Sequence, residues 1–181
     1  MFDYKKFEDD IVIAMENTLK GWMEEYDDIY ILSLDCSRSM DSIGIIANTK
    51  EYFDEQVSDE PEDYYYYKYC AAEWELYDDS ESIKEISAYM RKYVEDNTEQ
   101  FTDPETYVYL DAFDEHCDKI VEASKKALER FRQYINKYLP DLLLAFSIEE
   151  YLSNEECIEI FSSVNSKEAS KEYAEHIDDF N

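Results

Sequence analysis

Phe7, Ile11, Met15, Leu19 and Trp22 recur at steps of four, four, four and three, which stacks them on one stripe of a helix from about residue 4 to 24. Lys5, Glu8, Asp9 and Glu16 take the other face. The pattern breaks at EEYDD, and two short apolar runs follow, IYILSL at 29–34 and IGIIAN at 43–48, separated by the polar CSRSMDS at 36–42. Such runs around a turn-like segment predict a hairpin with a long loop. Asn48 with Glu51 matches the first and last positions of a capping box, so a helix is expected from Thr49 to about Val57. SDEPED at 58–63 reads as a surface loop around Pro61, and YYYYKYC at 64–70 as a third strand, because aromatic residues favour a pleated, half-buried surface.

In the second half, DDS at 78–80 caps a predicted helix over 81–96 with Ile83, Ile86, Met90 and Tyr93 on one face. Asp103 as cap and Pro104 at the first helical position predict the start of a long helix. Its stripe runs from Tyr107, Leu110, Phe113 and Cys117 through Ile120, Ala127 and Phe131 to Ile135 and Tyr138, and Pro140 ends it. LLLAFSI at 142–148 is a candidate fourth strand. The same run equally fits the buried start of a helix continuing through Glu149 and Glu150. Asn154 with Glu155 and Glu156 caps a helix carrying Ile158, Phe161 and Val164, and a last short helix is expected over about 166–176. Strands placed this unevenly, without regular βαβ alternation, predict an α+β fold: a mainly antiparallel sheet of about four strands with several helices over one face, in a single domain spanning 1–181.

Composition changes the picture in one respect. The chain carries 46 Asp and Glu against 17 Lys and Arg, a formal charge of −29, yet 45% of its residues are hydrophobic and 18 are tyrosines. Disorder requires too little apolar surface to offset chain entropy, and here that surface is plentiful. The charge is spread over the chain, net −17 in residues 1–90 and −12 in 91–181, so it belongs to the solvated faces of ordered elements and not to a tail. Only two glycines, Gly21 and Gly44, and three prolines occur, which favours long helices with few tight turns. No run of eighteen apolar residues exists and MFDYKKFEDD lacks the order of a signal peptide, so a soluble, cytosolic protein is expected. Cys36, Cys70, Cys117 and Cys157 are 34, 47 and 40 residues apart and read as free buried thiols.

Candidate chemistry is sparse. No glycine-rich phosphate loop, HExxH or GxSxG sequence is present, and no cofactor is expected. His116 lies between Glu115 and Cys117, but adjacent helical positions point about 100° apart and do not converge on a metal, so it reads as a surface histidine beside a core cysteine. Pairing it with Asp114 or Glu115 as acid and base is the enzymatic alternative. Carboxylate pairs such as Asp9 and Asp10, Asp27 and Asp28, or Asp78 and Asp79 are generic, and no metal site is assigned. The tyrosine run is more distinctive. As a strand it directs Tyr64 and Tyr66 to one side and Tyr65 and Tyr67 to the other, one row buried and one outside. The outside row, rimmed by Glu60, Glu62, Asp63, Glu73 and Glu75, forms a candidate partner-binding patch, since tyrosine joins a large contact area to a hydrogen-bonding tip. Helices covering both rows is the alternative. Direct nucleic-acid binding is disfavoured because phosphates would meet a strongly negative surface with no basic groove.

Ala47, Asn48, Thr49 and Glu51 after the hairpin, then the aromatic run and the Glu73–Trp74 pair, resemble a family of uncharacterised bacterial domains with an Ala-Asn-Thr-x-Glu turn and a Glu-Trp pair at these places. Members of such families often sit beside secreted polymorphic toxins, so the resemblance implies an immunity role. The expected function is a non-catalytic acidic inhibitor that captures a basic, nuclease-like toxin domain, steered by charge and fixed by aromatic anchors. The alternatives are a nucleic-acid mimic that inhibits a DNA-binding protein, and a metal-dependent enzyme using clustered carboxylates.

Overall fold

A computed structural model describes residues 1–148 and 151–180. Asp3 starts the first helix by accepting the Lys6 N–H at 2.9 Å, and α1 (Tyr4–Trp22) buries Phe7, Ile11, Met15 and Leu19 as the four-residue period requires. Glu8 does not face water as expected. It is buried, and its carboxylate takes the Arg130 guanidinium at 2.5 Å and the Lys5 ammonium at 2.9 Å. A buried carboxylate of this kind needs such partners.

The hairpin forms as β1 (Ile29–Cys36) and β2 (Ile43–Thr49), with Leu32 opposite Ala47 and Leu34 opposite Ile45. α2 (Lys50–Asp59) follows, one residue later than the capping pattern implied. Thr49 is its cap, its hydroxyl accepting the Tyr52 N–H at 3.3 Å, while Asn48 is fully buried. Residues 64–69 of the expected third strand are helical, and Cys70 is the extended residue that ends the helix. Pro61, which has no N–H to donate, opens a 3₁₀ turn (Pro61–Asp63) that runs directly into α3 (Tyr64–Tyr69). The third strand is instead β3 (Leu76–Tyr77), and α4 (Glu81–Asp96) begins at its Ser80 cap.

A one-turn helix, α5 (Thr98–Phe101), precedes the long helix α6 (Asp111–Ile135), whose start the Asp-Pro pair misplaced by seven residues. Asp103 does cap, accepting the Glu105 and Thr106 N–H groups at 2.9 and 2.8 Å, but what it caps is a turn. The chain then doubles back, with Tyr107 in the left-handed region at φ 58°. β4 (Leu143–Ile148) follows, then α7 (Asn154–Val164) with a capping box between Ser153 and Glu156, and α8 (Lys167–His176). Ser153, not Asn154, caps α7. The helical continuation through Glu149 and Glu150 lies outside the described residues.

The sheet order is β3-β2-β1-β4 and the sheet is mixed. β3-β2 and β2-β1 are antiparallel, but β4 lies parallel to β1, with Leu32 opposite Leu144. A parallel neighbour requires a long crossover, which α6 helps to supply. Both faces are covered, where one was expected. Leu32, Leu34, Ile45, Leu144 and Phe146 face α1, α4 and α6, while Ile31, Ile46 and Ala145 face Tyr69, Phe161 and Tyr173 on α3, α7 and α8. Each fully buried leucine, isoleucine or phenylalanine contributes about 1.5–3 kcal/mol. Exposed ion pairs such as Lys92–Asp96 and Lys126–Glu122 contribute far less, being screened by water, so the core and not the ion pairs offsets the charge repulsion.

All four cysteines are free; Cys36, Cys117 and Cys157 are buried and Cys70 is half-buried. Burial raises the Cys117 thiol to about 12 and pushes Cys36 and Cys157 up as well. Native protein is therefore expected to react with a chromogenic disulfide reagent at no more than one thiol, Cys70, and at all four in denaturant. Fast native release of two or more equivalents would contradict this packing. Among the described residues no helix is long and apolar enough to cross a membrane.

Candidate functional site

The sequence-predicted patch lies on the excursion from β2 to β3, made of α2, the Pro61 turn, α3 and a second 3₁₀ turn at Ala71–Glu73. On a helix, consecutive side chains point about 100° apart, so the tyrosines fan out and do not form two rows. Tyr64 meets the Phe53 ring edge-on at 5.1 Å and is 37% exposed. Tyr65 lies flat on His176, ring centres 3.4 Å apart at 12°. Tyr66 donates to Glu73 Oε1 at 2.8 Å, and Tyr67 donates to Glu60. Tyr69 is buried against Phe161, Tyr173 and Phe180, its hydroxyl on Glu172 Oε1 at 2.6 Å.

The acidic rim is thus partly joined to the tyrosines it was expected to surround. Glu60 and Glu73 accept phenols, and Glu75 accepts the Thr49 hydroxyl. Glu62 and Asp63 are exposed on the Pro61 turn. These bonds stabilise the protonated phenols. The bond to Glu60 raises Tyr67 to about 12, the bond to Glu73 pushes Tyr66 higher, and burial followed by Glu172 does the same for Tyr69. Burial pushes the Glu172 carboxyl up, but hydrogen bonds from Lys68 and Tyr69 outweigh it and hold it below its ordinary value.

Between α2, α3, α8 and the starts of β1 and β4 lies an open cleft of about 350 Å³. Tyr30, Phe53, Tyr64 and Tyr69 line it, with Lys50 and Lys68 at its edge and Glu168 and Glu172 across it. Both lysines have partners, Lys50 on Asp54 and Lys68 on Glu172, so the cleft offers aromatic faces and carboxylates more than free positive charge. Such a surface accepts a cationic or aromatic side chain. The positions singled out by the resemblance hold this region in place. Asn48 donates to the Tyr30 hydroxyl at 3.4 Å, the Glu51 N–H bonds Asp28 at 2.7 Å, and Trp74 is buried against the second face of the sheet.

His116 is not on the surface: it is 2% exposed, enclosed by Phe2, Tyr4, Tyr93 and Phe101. Nothing within α6 signals this, because the rings come from the segment before α1, from α1 itself, and from α4 and α5. Its Nδ1 bonds the Tyr4 hydroxyl at 2.8 Å, its Nε2 has no hydrogen-bond partner among the described residues, and Asp114 and Glu115 are exposed, so neither of these two pairs with it as acid or base. Among the described residues no group of three or more His, Cys, Asp or Glu side chains could hold a metal ion.

No curated protein matches the chain, and no solved structure does. A model of a domain of unknown function, DUF4303, matches residues 11–166, from within α1 to the cap of α8, and takes in both β hairpin strands, the tyrosine helix and the Glu73–Trp74 pair. The chain belongs to the DUF4303 family.

Proposed function

We propose that this domain is a non-catalytic inhibitor of the immunity type, which captures a basic, nuclease-like toxin domain and covers its substrate-binding surface. The observation that carries the reading is the uncompensated negative surface. Among the described residues at least eleven lysines and arginines, Lys5, Lys6 and Arg130 among them, lie within 4.0 Å of a carboxylate. Most of the cations are thereby masked locally, and the excess carboxylates face solvent. A nuclease surface is basic because it binds phosphate, so the two attract over a Debye length, about 8 Å at physiological salt. Glu60, Glu62, Asp63, Tyr64, Tyr65, Tyr66, Tyr67, Glu73 and Glu75 form the first surface to test. Cytoplasmic residence fits a role of protecting the producing cell.

Where a neighbouring gene encodes a basic toxin domain, co-expression of this chain with it is expected to restore growth of the host. The association rate of the purified pair should fall by about tenfold or more from low to high salt. An association rate indifferent to salt, or growth that stays arrested, would count against the proposal.

A further inference from the structure

The most exposed apolar surface is not the tyrosine helix but the loop between α5 and α6. There Tyr107 is 81% and Val108 62% exposed, with Tyr109 and Leu110 also open to solvent. The loop is firmly built. Thr102 and Tyr109 form an antiparallel bridge, the Asp103 N–H bonds Val108 O at 2.9 Å, the Leu110 N–H bonds Phe101 O at 2.9 Å, and Asp103 caps the turn. Beneath it the Tyr109 ring stacks on Phe113 at 3.9 Å, and Phe113 packs against Phe101 in the core. Tyr107 holds a left-handed backbone conformation that is costly for an aromatic residue, and it does so with its side chain in water. The tip is therefore rigid and apolar before any partner arrives, and preorganisation of this kind lowers the entropy lost on binding.

Charge specifies the occupant. Residues 93–118 hold nine carboxylates and not one lysine or arginine. Glu105, Asp111 and Asp114, on either side of the tip in the chain, are exposed, and Asp103 is half-exposed. An apolar tip inside an acidic rim is complementary to an apolar socket inside a basic rim. We infer that the loop around Tyr107 and Val108 is a docking element for a basic protein partner, inserted as an apolar anchor while its carboxylates pair with the partner's cations. The inference rests on the proposed function for the partner's charge, and it places the anchor away from the tyrosine helix.

The test is photo-crosslinking in the producing cell from a benzoylphenylalanine placed at position 108, with position 64 as the comparison. The expected result is a crosslink from 108 to a basic protein. The purified pair should then bind about tenfold or more weakly when the chain carries Tyr107→Gly with Val108→Ser. Tyr107→Gly is chosen because glycine relieves the backbone conformation, so the thermal midpoint should hold or rise while binding falls. Three results overturn the inference: no crosslink from 108, a crosslink only to a second copy of this chain, or undiminished binding by the double variant. A basic partner captured from 64 but not from 108 overturns this surface and leaves the proposed function standing. A neutral or acidic partner at 108 overturns both.

Discussion

Arg132→Met is expected to lower the free energy of unfolding by about 3 kcal/mol, equivalent to roughly 6–12 °C in the thermal midpoint of a chain this size. Arg132 sits on α6 and has carbonyls, not carboxylates, for most of its partners. Its Nε donates to Val164 O at 2.7 Å, its terminal nitrogens to Leu142 O and to Pro140 O at 3.4 Å, and one also to Asn165 Oδ1 at 3.2 Å. These are the last carbonyl of α7 and the chain leading into β4, so one guanidinium joins three elements. Burial pulls its pKa down, a cost that its acceptors must offset. Methionine fills similar space but leaves the carbonyls without their donor, which is why the loss exceeds that of an exposed ion pair.

Asn165 completes the arrangement. Its Oδ1 accepts the Leu144 N–H at 2.9 Å, and its Nδ2 donates to Leu144 O at 2.7 Å and to Phe161 O at 2.8 Å. The side-chain amide thus occupies the place of a next strand beside β4, the edge of the sheet. Arg132→Lys should recover less than half of the loss, since a single ammonium cannot reach acceptors on diverging directions. Asn165→Ala should cost about 2 kcal/mol, and the double variant less than the sum, because both side chains belong to one network. Urea denaturation of the parent and the four variants measures these differences. An Arg132→Met variant within 1 kcal/mol of the parent would mean that water satisfies those carbonyls equally well.

Neither residue stood out in the sequence, and the reason is general to what was and was not legible. α1, α4 and the hairpin were readable because their apolar periods are set locally, by side chains that return to one face every turn or every second residue. The tyrosine segment was misread because its conformation depends on partners far away. Tyr69 reaches Glu172 and Tyr65 reaches His176, both more than a hundred positions along the chain, and those contacts outweigh the weak β preference of tyrosine. The start of α6 was misread for a different reason. An aspartate before a proline makes the same local hydrogen bonds at a turn as at a helix cap, and only the reversal at Tyr107 separates the two. The direction of β4 depends on the path of α6, which no residue within β4 encodes. As for the candidate site, the sequence identified the tyrosines and their acids as neighbours, but not that four of the phenols and carboxylates would bond to each other. The acidic surface itself was legible from composition alone.

The second large effect is a loss of stability on mild acidification, and it traces to His116. Burial among rings, followed by the nearby Lys119 charge, lowers its pKa to about 4 in the folded protein. The ordinary value in an unfolded chain is about 6.5. Below 6.5 the unfolded chain therefore takes up a proton that the folded one refuses, so stability falls as pH drops through 6.5 and levels off near 4. Two and a half units correspond to about 3 kcal/mol. The groups facing the imidazole do not mask the effect. Tyr4 on α1 is itself raised to about 12 by burial and stays neutral over this range, and Phe2 and Phe101 carry no titratable group. Carboxyl groups ordinarily titrate near 4, and neutralising part of a set of 46 relieves repulsion, so the histidine contribution must be isolated by difference. His116→Gln retains an acceptor for the Tyr4 hydroxyl without a titrating group. It is expected to cost some stability at pH 7 and to lose about 3 kcal/mol less than the parent between pH 6.5 and 4. Parallel stability profiles for the two proteins, or an imidazole that titrates near 6.5 by NMR in the folded state, would show that the aromatic enclosure admits water and that His116 is not held neutral by it.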